Sequence, residues 1–350
     1  MRHKEFRFRT VSLCFLVGMS LVGCRDFSNV RKLGENSKEI AAKSQEMATD
    51  YYQSCLRRAR VPIDTFPDIA NTRAAAEEAC RQNDRELGMA IADANQVIIA
   101  YLNNLMMLAD NRSSVITPEN QKKLQGALGD LSTSLSDTSG SVPEPVSTIL
   151  EQGSSILNVI FDAVAADIRG DTIPPVMVCT DEAIDSYTQG LIEIASVVYV
   201  NQLQLEADQH RQYFGLLTPP PGTVFTPSEA LSLLRLDREY NEAIDKINEK
   251  KAFAEEFVKV LDATRGSHKS ISLVFAEKLD LTKLNQEKQP EIDPLKRDAF
   301  CAERATQRYQ EPVSIQLTPS DVSRIVNILK DYERTTAPMI EKMKRVDFKQ

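Results

Sequence analysis

Few side chains in this 350-residue chain are of a type and spacing that would support covalent chemistry. His210 and His268 stand far apart, each flanked by polar residues. A nucleophilic site needs an imidazole held beside its Ser or Cys, and neither histidine has a nucleophile motif near it. Both are expected at the surface. The sequence contains no Gly-rich phosphate loop, no H-E-x-x-H pair and no calcium loop. The acid pairs Glu77-Glu78 and Glu255-Glu256 are interleaved with Lys and Arg and read as solvated helix faces, whereas glycosidase carboxylates need a cleft. Cys55, Cys80, Cys179 and Cys301 are never closer than 25 residues, unlike the close pairs of a zinc site. Arg169-Gly170-Asp171 reads as a chance tripeptide. No catalytic, cofactor-binding or metal-ligating residue is expected.

The most specific signal lies at the N-terminus. Arg2, Lys4, Arg7 and Arg9 precede an apolar run from Val11 to Met19, the layout of an export leader too short to be a permanent span. The run ends in Leu21-Val22-Gly23-Cys24, which resembles the lipobox of bacterial lipoproteins. The resemblance covers these 24 residues alone. It implies that residues 1–23 are a signal peptide, that Cys24 is lipidated, and that the mature protein is held to the cell envelope by that lipid. Arg25, not Asp, follows the cysteine, and this favours the outer membrane although Asp26 comes next. Residues 1–23 hold four of the 42 basic and one of the 50 acidic residues, so the mature chain carries a net charge of −11. Such a chain repels phosphate backbones, so nucleic acid is not expected as a partner. Anionic headgroups repel it too, so attachment rests on the lipid.

With Cys14 lost and Cys24 acylated, four cysteines remain in an oxidising compartment, which favours two disulfides. Three pairings are open. Helical geometry selects Cys55–Cys80, facing each other across a hairpin, and Cys179–Cys301.

Hydrophobic periodicity supplies the scaffold. A polar tether is expected over 24–36 and a helix from Ser37 to Ala59, stopped at Val61-Pro62. Leu87, Ile91, Ala94, Ile98, Tyr101, Leu105 and Leu108 alternate by fours and threes within a long helix over 71–109. Thr117-Pro118, Thr226-Pro227 and Thr318-Pro319 each start a helix with a Thr cap and Pro at the first position, and Glu229 completes a capping box on Thr226. Behind the second cap lie Leu233, Leu236, Tyr240, Ala243, Ile247, Ala254 and Leu261. Behind the third lie Val322, Ile325, Leu329 and Tyr332. Helices are also expected over 146–168 and from Thr180 to Phe214, the latter with Ile184, Tyr187, Leu191, Ile194, Val198, Asn201 and Leu205 on its stripe. No strand pattern of useful length is present. With no Trp, only 13 Gly and 6% aromatics, the composition leans the same way.

The fold expected is all-α: an elongated antiparallel bundle of long helices, divided into sub-bundles at 37–168 and 179–350 by a hinge at 169–178. The function expected is non-catalytic, a lipid-anchored structural or protein-binding scaffold whose partners are other envelope proteins. The alternative is a membrane-acting helical protein of the pore-forming kind, with the apolar segment 156–168 inserting.

Overall fold

Thr226 starts the longest helix as its sequence prescribes. The Thr226 hydroxyl accepts from the Glu229 amide at 3.4 Å while the Glu229 carboxylate accepts from the Thr226 amide at 2.8 Å. Pro227 sits at the first helical position, where its missing N–H costs nothing. The computed structural model describes residues 28–35, 37–61, 69–109, 172–220, 222–307, 313 and 315–348, with isolated stretches at 122, 126, 152–153 and 155–159.

The chain opens with a 3-10 turn, Ser28–Arg31, and one helical turn, α1 (Lys32–Glu35). Then come α2 (Ser37–Arg60), α3 (Ile69–Ala79) and α4 (Arg85–Ala109), the last two joined by a π turn, Cys80–Asp84. A second π turn, Ile194–Tyr199, joins α5 (Ile173–Glu193) to α6 (Val200–Leu217). After α7 (Pro227–Lys278) follow a two-stranded antiparallel ribbon, β1 (Thr282–Leu284) with β2 (Pro290–Ile292), then α8 (Pro294–Thr306) and α9 (Pro319–Lys344). The protein is an all-α helical bundle, and that ribbon is the one sheet among the described residues.

Helix α7, 52 residues and about 78 Å long at 1.5 Å per residue, is the spine. Helices α5, α6 and α9 pack along it, and α2 packs against α4 and α6. Helix α9 runs antiparallel to the spine: Arg324 pairs with Glu277, and Lys342 with Glu256. Most of the buried apolar residues, from Val30 and Leu33 to Met343 and Phe348, form one contiguous core, and Cys55, Leu56 and Cys80 form a small second cluster.

The expected stripes line this core, with one instructive departure. All seven residues of the Leu87–Leu108 stripe are buried, as are Ile184, Tyr187, Leu191 and Ile194. Past Ile194 the stripe fails: Asn201 and Leu205 face solvent, and Tyr199, Leu203 and Ala207 are buried instead. The π turn inserts one residue into the helical repeat, and the buried face moves one position along the chain.

Three boundaries are corrected. Residues 28–35, expected within a polar tether, are helical turns with Val30 and Leu33 buried against α4 and α9, so the chain is docked from Ser28 onward. The helix expected from Thr180 begins at Ile173; Pro174 and Pro175 fall in its first turn, where proline is tolerated, and 173–178 are helical and buried instead of forming a hinge. The ribbon and α8 were not expected; the three-residue strands are too short to show alternation. Thr318 also carries a full capping box, closed by Asp321. The helices expected at Thr117 and over most of 146–168, and Arg169 to Asp171, lie outside the described residues.

The α2–α4 crossing depends on glycine. A Cβ at Gly88 would lie 2.8 Å from the Ala48 carbonyl oxygen, a backbone atom that cannot step aside. Gly34 is as tight, 2.6 Å from the Leu102 carbonyl oxygen. Gly266, in the C-terminal part of α7, faces open space. Gly88→Ala is therefore expected to destabilise the fold by about 1–3 kcal/mol. Gly266→Ala is expected to stabilise it by about 1 kcal/mol through helix propensity. Urea unfolding of the two variants checks the opposite signs.

Candidate functional site

Two buried polar clusters, neither anticipated from the sequence, tie the helices together. The first is built on Asp50 of α2. Its Oδ1 accepts from Lys250 Nζ of α7 and from Arg57 Nη1, each at 2.8 Å. Its Oδ2 accepts from the Tyr199 hydroxyl at 2.8 Å, at the junction of the π turn with α6. Arg57 turns its other edge to Glu206 of α6, with Nε to Oε1 at 2.6 Å and Nη2 to Oε2 at 3.0 Å, and Ser54 Oγ donates to Oε2 at 2.6 Å. The guanidinium thus bridges two carboxylates through its planar fork, which Lys cannot imitate. Two acids and two bases leave the knot neutral. Burial alone would lower the Arg57 pKa, but the hydrogen bonds and charges of Glu206 and Asp50 outweigh it and raise the value. The Tyr199 hydroxyl is held protonated by burial and by the Asp50 charge.

Arg57 also forms the shared wall of two open clefts. One, of about 310 Å³, includes Arg60, Glu206, His210, Glu239 and Lys246 in its lining. The other, of about 540 Å³, includes Gln45, Thr49, Gln53 and Phe348. His210 is half-buried, and desolvation pulls its pKa below the ordinary value. Among the described residues, no Ser, Thr or Cys lines the His210 cleft beside the imidazole. The carboxylates of Asp50 and Glu206 are committed to Arg57 and Lys250. What the knot does is hold α2, α6 and α7 in one register.

The second cluster corrects the reading of His268 as a surface residue. It is 1% exposed and joins α4, α5 and α7. Thr180 Oγ1 donates to the Val176 carbonyl at 2.8 Å and hydrogen-bonds the Tyr101 hydroxyl at 2.9 Å, and that hydroxyl meets His268 Nε2. On the far side of the ring, Nδ1 faces Asp181 Oδ1 at 3.3 Å and Ser272 Oγ at 3.4 Å. Asp, His and hydroxyl stand in the order of a catalytic relay. Yet Tyr101, His268 and Ser272 are sealed in the core with no surface for a substrate, and burial drives the Tyr101 pKa upward. The cluster bolts three helices.

The sequence did carry a signal for both. Lys250 lies on the apolar stripe of α7 between Ile247 and Ala254. His268 continues that stripe by threes and fours after Leu261 and Thr264, toward Ile271 and Phe275. A charged or polar residue in phase with a core stripe is buried with it.

Both disulfides pair as expected. Cys55–Cys80 joins α2 to the π turn with Cα atoms 5.7 Å apart, and Cys179–Cys301 joins α5 to α8 at 5.6 Å. Asp84 lies beside the first, the one grouping among the described residues dense enough in ligand types for a metal, but bonded sulfurs offer no thiolate. Cys24 lies outside the described residues. Among those described, no helix is long and apolar enough to cross a membrane. Comparison with protein-family models, curated proteins and solved structures finds no match.

Lys250→Met leaves the Asp50 carboxylate buried with one ion-pair partner fewer and is expected to cost about 3–5 kcal/mol. Adding Asp50→Asn removes the stranded charge and should recover a large part of that loss. Chemical unfolding of the two variants measures the coupling, and a double variant no more stable than the single would contradict it.

Proposed function

We propose that the protein is a non-catalytic, lipid-anchored scaffold of the bacterial envelope, with its folded body in the periplasm or at the cell surface. The observation that carries this reading is Leu21-Val22-Gly23-Cys24 behind a basic, apolar leader. The fold supports it indirectly. The described polar clusters are internally satisfied and sit at helix junctions, as in a rod built for rigidity. Ile156 and Leu157, the start of the apolar segment 156–168, are buried in the core, which favours the scaffold over the pore-forming reading.

The docked N-terminus sharpens the proposal. Only four residue steps separate Cys24 from Ser28, at most about 14 Å of fully extended chain. A lipid on Cys24 would therefore hold the body close against its membrane, not on a long tether. Partners would be other envelope proteins that bind the helical side faces, and with Arg25 after the cysteine the outer membrane is the favoured site.

Cys24→Ser is expected to leave the protein unprocessed or release it from the membrane fraction, with loss of the diacylglycerol mass on intact-protein mass spectrometry. Unchanged fractionation with no acyl mass on the parent protein would overturn the proposal.

A further inference from the structure

The end of the α6–α7 hairpin is an arm that the bundle does not cover. No residue of α7 before Ile247 is buried, and none of α6 after Ala207. The two helices hold each other through a stack of Phe214 on Tyr240, with ring centroids 4.5 Å apart. Beyond it, the 23 residues between Arg211 and Arg235 contain one charged side chain, Glu229. Six of the eleven large apolar side chains that are exposed among the described residues fall here: Leu216, Leu217, Val224, Phe225, Leu231 and Leu234.

We propose that this apolar tip inserts into the interfacial layer of a phospholipid bilayer. Its shape argues for lipid. Leu231 lies on the face of α7 opposite Leu233 and Tyr240, which turn toward α6, and Leu234, 67% exposed, lies on the flank between them. Leu216 is off the inward stripe of α6, and Val224, 93% exposed, caps the end. A protein groove receives one helix face and a second copy covers one side. A leaflet surrounds all sides at once.

The polar groups of the tip argue the same way. The hydroxyls of Thr218, Thr223, Thr226, Ser228 and Ser232 are all hydrogen-bonded within the hairpin. Pro219, Pro220, Pro221 and Pro227 have no N–H to satisfy. Those groups therefore add little to the cost of leaving water, and the remaining backbone groups of the loop place it at the headgroup level, where water still reaches them. Glu229 stays ionised, its pKa lowered by the hydrogen bonds from Thr226, and this limits the depth to the headgroup and upper acyl region. The eight residues Pro227 to Leu234 span about 12 Å, close to that depth. Below them the charges are paired, Arg211 with Asp208 and Arg235 with Glu239, so adsorption does not need anionic lipid.

The arm points away from the end where the chain enters. Glu39, near the start of α2, pairs with Lys344 beside the Lys342–Glu256 pair, whereas Arg60 at the end of α2 shares a cleft with Glu239. The tip is thus a membrane contact separate from Cys24 and does not rest on its lipidation.

The sequence has no Trp, so Val224→Trp in the full chain is a single reporter at the tip. With phosphatidylcholine vesicles its emission should shift to the blue and be quenched by bromine-labelled acyl chains. Adding Leu231→Ser and Leu234→Ser should reduce the inserted population roughly tenfold per leucine. Their exposed positions should leave circular dichroism and thermal unfolding unchanged. Emission indifferent to vesicles, even on chains that float with them, would overturn the proposal. So would a shift that survives both serines or requires anionic lipid. A shift that grows with protein concentration without vesicles would assign the tip to a second copy instead.

Discussion

A carboxylate in a protein core must be neutralised where it stands, and the register of three helices follows from how Asp50 is neutralised. Its oxygens take Lys250 from α7, Arg57 from its own helix and Tyr199 from the end of the π turn that leads into α6, while Arg57 reaches on to Glu206. A slip of one helical turn, about 5.4 Å, in any of these helices would strand a charge in the core. Apolar side chains alone impose no such penalty, because Leu and Ile tolerate neighbouring holes of similar shape. The Tyr101–Thr180–His268–Asp181 cluster repeats the device for α4 and α5 against α7.

Much of this fold was legible because its helices declare themselves locally. Thr-Pro starts with an acid in the first turn fix where α7 and α9 begin whatever packs beside them. The stripe from Leu87 to Leu108 is regular enough to name its buried face residue by residue. What was hidden is non-local or sub-periodic. A π turn adds one residue without any sequence marker, so the stripe that is right through Ile194 is one position out at Asn201 and Leu205. Docking of Val30 and Leu33 depends on a groove made by helices distant in the chain, and a polar composition around them conceals it.

The polar clusters were missed for a different reason. His268 was weighed by the polarity of its sequence neighbours, which on an amphipathic helix lie on other faces, and Lys250 was passed over between Ile247 and Ala254. Phase along the helix is the better guide: both residues occupy positions that Ile247, Ala254, Leu261 and Phe275 mark as buried. The disulfides needed less information, since a hairpin places Cys55 and Cys80 within reach of each other, and Cys179 and Cys301 are the pair that remains.

The position of the Asp50 knot has a mechanical consequence. Lys250 lies less than one turn beyond Ile247, the first buried residue of α7, so the knot grips the spine where it leaves the body and becomes the arm. Glu206 grips α6 at the matching place, one residue before Ala207, the last buried residue of that helix. Both arm helices are thus clamped at their roots to the Asp50–Arg57 pair of α2, α7 through Lys250 on Asp50 and α6 through Glu206 on Arg57. Helix α7 passes through the clamp without a break or a proline after Pro227. Small displacements at the tip must then move the whole hairpin or open the ion network, and the network resists because each charge it would release is buried. A bundle with a buried ion network at the base of this uncovered extension is built to hold the extension at a fixed angle.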